Sequence, residues 1–87
     1  MYKNIELTTY LVLVMKSERE QIDDIKMKFL GTKDTTIRKA VLDTLGTYGE
    51  PGIDTINELI GVTVNEEVKE HGLQVITEVR RKLTRND

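Results

Sequence analysis

The sequence predicts an all-helical domain, an α–α superhelix of tandem helical hairpins with about five helices. Three observations lead there. Apolar residues recur at helical spacing in five segments, bounded by capping residues, glycines or the proline. The chain also lies on itself at a shift of 31 residues. Finally, 32% of residues are charged, 5% are aromatic and proline occurs once, which favours helix because strands draw on aromatics while helices tolerate Glu, Lys and Arg.

The first predicted helix spans about 3–16, with Leu7, Tyr10, Leu11, Val14 and Met15 on one face. Val12 and Leu13 lie off that face, so the segment is apolar nearly all round. A strand is the competing reading, but the sequence offers it no second strand to pair with. Ser17-Glu18-Arg19-Glu20 has the form of a capping box. The second helix follows with Ile22, Ile25 and Phe29 on one face and Gly31 as a left-handed stop. Asp34 or Thr35 caps the third helix, whose stripe reads Ile37, Ala40, Val41, Thr44, Leu45, Tyr48. Gly46 and Gly49 loosen its end. Pro51 opens the fourth helix, where its missing amide proton costs nothing, and Ile53, Ile56 and Ile60 form the buried face. Asn65 caps the fifth helix. Glu66 and Glu67 face its positive N-terminus, Arg80, Arg81 and Lys82 its negative end, and Val68, Gly72, Val75, Ile76, Val79 and Leu83 form its stripe.

At the 31-residue shift, Ile22, Asp23 and Ile25 fall on Ile53, Asp54 and Ile56. Phe29 falls on Ile60, Thr32 on Thr63, Asp34 on Asn65, Ile37 on Val68, Arg38 on Lys69, Leu42 on Leu73 and Leu45 on Ile76. A period of this size marks a stacked array, in which no unit buries its own apolar face alone. Leu42 and Leu73 lie about 120° from the centres of their stripes on a helical wheel. An isolated helix pair has little use for leucine there, whereas a stack does.

The stretch from Asp34 to Ile53 resembles the HEAT repeat, in the short form found in bilin-lyase-like proteins. That family shows an Asp, an Ile/Val-Arg pair opening a helix, then Ala and Leu-Gly, then Gly with a nearby Pro before a second helix. Here these are Asp34, Ile37-Arg38, Ala40, Leu45-Gly46, Gly49 and Pro51. The next copy departs from the pattern, with His71 in place of Ala40 and Thr77 in place of Gly46. The resemblance is specific over about 34–61 and extends over 20–83. It implies a superhelix with repeat units of about 18–48 and 51–84 and the first helix as an N-terminal cap. Arrays usually need about three repeats, so the apolar first helix either closes the stack or pairs with another copy through Leu11, Val12 and Leu13.

Composition narrows the function. The 87 residues make one domain, 1–87, with a thin core, since a chain this short buries roughly 60–65% of its unfolded surface. Net charge is −2, without the basic excess of a nucleic-acid binder. Without cysteine there is no thiolate metal site and no thiol nucleophile. The longest apolar run, Tyr10 to Met15, is too short to cross a bilayer and lacks signal-peptide flanks, which predicts a cytoplasmic protein with no membrane partner. His71 is the single histidine, with no nucleophile or orienting carboxylate evident in sequence. Some HEAT-repeat enzymes are di-iron hydroxylases using several His-Glu pairs; this chain has one Glu70-His71, in reverse order. The expectation is no catalytic residue, no metal and no cofactor.

In a HEAT-like stack the second and fourth helices line the concave side. Asp23, Asp24, Asp54 and Glu58 would make that side acidic, with Met27 exposed among them, suiting a basic, partly apolar segment of another protein. An ordinary solvated face is the competing reading. Arg80, Arg81, Lys82 and Arg85 form the one basic cluster and raise nucleic-acid contact as an alternative; dipole complementarity explains three of these charges without a ligand. A bilin-lyase-like or chaperone role is implied by the repeat subtype alone, and one Phe with three Tyr are few aromatics for pigment.

Overall fold

The computed structural model describes residues 16–85, which form four α-helices and no strands. They are α1 (Glu18–Leu30), α2 (Thr35–Gly46), α3 (Glu50–Val62) and α4 (Glu66–Arg85). These match the second to fifth predicted helices. The predicted helix over 3–16 lies outside the described residues.

Local chemistry sets each boundary. The Ser17 hydroxyl accepts the Glu20 amide at 3.1 Å and donates to the Glu20 carboxylate at 3.3 Å. Asp34, rather than Thr35, caps α2, its carboxylate accepting from the Ile37 amide at 3.0 Å. Asn65 does the same for the Val68 amide at 3.1 Å. Two aligned positions, 31 residues apart, therefore perform one task. Gly31 differs from expectation: its φ of −87° is ordinary right-handed backbone, and its amide still donates to Met27. The left-handed turn comes instead at Gly49, with φ of 74°, just before Pro51 enters the first turn of α3.

Helices α1 and α2 pack as one hairpin, α3 and α4 as the other. Between them α1 meets α3, α2 meets α3 and α2 meets α4, so α2 touches all three of the other helices. The core they enclose comprises Ile22, Phe29, Val41, Leu42, Leu45, Ile53, Ile56, Leu59, Val68 and Ile76. Tight approach is bought with missing side chains. A Cβ on Gly52 would lie 1.8 Å from the Leu45 carbonyl oxygen, and one on Gly46 would lie 2.7 Å from a Val75 methyl.

The buried face of α2 is rotated from the predicted stripe. Val41, Leu42 and Leu45 are buried, while Ile37, Ala40 and Thr44 are exposed. Leu42, which the periodicity sets off to one side, has no accessible surface. The cause is Arg38, on the same face. Its guanidinium stacks over the Phe29 ring at 4.6 Å and donates through Nε to the Thr32 carbonyl at 2.8 Å, so its stem behaves as part of the apolar side. In α3 the buried set gains Leu59, and Ile60 is only half buried. In α4, Val68, Gly72 and Ile76 are buried, Val75 and Val79 half buried, and Leu83 exposed.

Leu45→Ala should lower unfolding free energy by ~2–5 kcal/mol in urea titration. Ile37→Ala, on the same helix but 49% exposed, should cost under ~1 kcal/mol. Equal losses at the two positions would contradict the rotated face.

Candidate functional site

The five predicted partner-contact residues lie on α1 and α3, and all are exposed. Asp23 and Asp54 occupy equivalent positions on these neighbouring helices, and neither has an ion-pair partner among the described residues. Met27 is 64% exposed. The remaining two carboxylates are paired. Glu58 meets Lys26 across the α1–α3 contact, and Asp24 meets Lys16. That hydrogen bond, with the charge of Asp24 behind it, holds the Lys16 ammonium above its usual range. The surface is thus less acidic than its sequence suggests, with Asp23 and Asp54 the carboxylates of this set left unpaired among the described residues.

The basic cluster does not form one patch. Arg80, Arg81 and Lys82 are consecutive, so at about 100° per residue they fan around the helix. Arg81 pairs with Glu78 at 3.2 Å, and Lys82 reaches a different groove from Arg81's. All four basic residues, Arg85 included, are exposed. The predicted self-association residues Leu11, Val12 and Leu13 lie outside the described residues.

Sequence reading missed a groove of about 520 Å³ where α4 runs beside and beyond α2. Gly46, Val75, Val79 and Leu83 give it apolar walls, and Asp43, His71, Glu78 and Lys82 line it with charge and polarity. Length creates it: α4 has 20 residues and α2 has 12. A signal was present, because Val79 and Leu83 continue the α4 stripe past residue 77, the counterpart of the end of α2. Beside this groove His71 Nε2 lies 2.8 Å from Asp43 Oδ1. The histidine's partner is therefore on α2, and neither Glu67 nor Glu70 is involved; Glu67 instead pairs with Lys39. Among the described residues no three His, Asp or Glu side chains gather as a metal site requires. Nor is any described helix long and apolar enough to cross a membrane.

Compared with protein families, curated proteins and solved structures, the chain finds no match in any of the three.

The Asp43–His71 contact is part-exposed, with side chains 61% and 26% accessible, so a double-mutant cycle with Asp43→Ala and His71→Ala should yield a coupling below ~1 kcal/mol. A coupling several times larger would mean the pair holds the groove together.

Proposed function

We propose that this chain is a non-enzymatic protein-interaction module of the HEAT-like kind, two hairpins of an α–α superhelix capped at the N-terminal side by the helix predicted over 3–16. The partner surface is the outward side of α1 and α3. Its determinants are Asp23, Asp54 and Met27, flanked by Asp24 and Glu58. The observation that carries this reading is two carboxylates, at equivalent positions of adjacent helices, that have no ion-pair partner among the described residues, with an exposed methionine on the same pair.

Asp23 and Asp54 supply two negative charges from neighbouring helices, whose axes pack about 8–10 Å apart. Met27 supplies a flexible apolar contact that adapts to a partner's side chain. A basic, partly apolar segment meets both demands, with the charges steering its approach and setting its register. The HEAT-like reading draws on the shared capping by Asp34 and Asn65 and on the matched burial of Ile22 with Ile53 and Leu45 with Ile76. On this reading the module acts in the cytoplasm, to which a cysteine-free composition is suited.

A fluorescent amphipathic Lys/Leu peptide tests it by anisotropy. The full chain should bind, more weakly as salt rises. Asp23→Lys with Asp54→Lys should weaken binding by at least ~10-fold and Met27→Ser by a few-fold. Binding indifferent to Asp23 and Asp54, or no binding, refutes the assignment.

A further inference from the structure

The outer side of α4 carries a second, separate surface. Within the fold, α2 turns Lys39, Asp43 and Gly46 toward α4, where they meet Glu67, His71 and the methyls of Val75 and Val79. Moved on by the 31-residue repeat, these positions become Glu70, Gln74 and Thr77 of α4. All three are exposed, and with Leu73, Glu78 and Arg81 they line a shallow groove of about 460 Å³. Leu73 makes the same point. Its counterpart Leu42 has no accessible surface, whereas Leu73 is 53% exposed. This side of α4 has the register of a buried interface with nothing upon it among the described residues.

Its charge pattern selects the occupant. Along the face run Glu70, then Leu73 and Gln74, then Thr77, then Arg81. Glu78 shares this face beside Arg81, yet with Glu70 at one end and Arg81 at the other the strip is still complementary to itself when reversed. We propose that the outer face of α4 pairs with the same face of a second copy of this chain, the two α4 helices running antiparallel about a two-fold axis between Gln74 and Thr77.

In that register Glu70 of each copy faces Arg81 of the other, and Gln74 faces Thr77. One turn further out, Glu66 faces Arg85. In the same register Leu73 of each copy faces Glu78 of the other, whose methylene stem covers it while the carboxylate stays in solvent. Parallel pairing would set Glu70 against Glu70 and Arg81 against Arg81, which is repulsive. Antiparallel helices also oppose their dipoles favourably. Arg81 has to give up Glu78, an exposed pair at 3.2 Å of the kind that contributes little. A two-fold contact is closed: each copy uses the face once, so the assembly stops at a dimer and does not grow into a filament.

Sedimentation of the full 87-residue chain against concentration tests this, with circular dichroism confirming helicity in every variant. The wild type should dimerise. Leu73→Glu, at an exposed position that does not support the monomer core, should abolish the dimer. Glu70→Arg or Arg81→Glu alone should each weaken it by at least ~10-fold, and the two together in one chain should restore it to within ~3-fold. A monomer up to roughly 1 mM overturns the proposal. So does a dimer indifferent to these variants, which would place the contact elsewhere, or one weakened by both reversals with no recovery when they are combined.

Discussion

Everything in this fold depends on how closely the start of α3 can lie against the end of α2. The backbone of α3 at Gly52 abuts the Leu45 carbonyl so tightly that no side-chain carbon has room there. That approach is what lets Leu45 and Ile53, both without accessible surface, share one core layer. Gly46, on the other side of the same helix end, admits Val75 and Val79, and Gly72 admits Ile60 and Ile56. Three missing side chains, all within helices, let α2 approach both α3 and α4 and let α3 approach α4. A core this thin has little reserve if any of those distances widens.

The polar contacts between hairpins follow one plan. Lys26 meets Glu58, Lys39 meets Glu67, and Asp43 meets His71, each linking a helix of the first hairpin to its counterpart in the second. All are partly solvated, so their contribution to stability is small. Their role is alignment: three polar links, one between α1 and α3 and two between α2 and α4, oppose sliding of one hairpin along the other. Burial supplies the free energy, and the ion pairs choose among registers that burial alone would accept.

Periodicity, caps and the 31-residue shift were legible in the sequence, and the four helices begin within a residue or two of where those signals lie. The orientation of α2 was less legible. A stripe built from Ile37, Ala40 and Thr44 counts weakly apolar residues and passes over Arg38, because an arginine is scored as polar however its stem is placed. Only the ring of Phe29 and the carbonyl of Thr32, both brought near by folding, show which side of Arg38 faces inward. Glycines mislead for a related reason. Gly46 and Gly52 flank a turn and read as turn residues, yet both lie within helices as contact surfaces. The acidic residues are exposed on α1 and α3, but Lys16 and Lys26 neutralise two of them from eight residues back along the chain and from the neighbouring helix, beyond the reach of a face drawn from single positions.

The unequal lengths of α2 and α4 have a consequence for how the molecule opens. Beyond Val79 every residue of α4 from Arg80 to Arg85 is exposed, so within one chain those turns are held by backbone hydrogen bonds with little tertiary cover. Amide protons there open at a free-energy cost well below that of the core, and loss of order in α4 runs from Arg85 inward. It halts at Ile76, the first buried side chain met from that end. The protein therefore has a graded edge, in which helix length beyond the repeat unit can melt and reform while the packed layers stay intact.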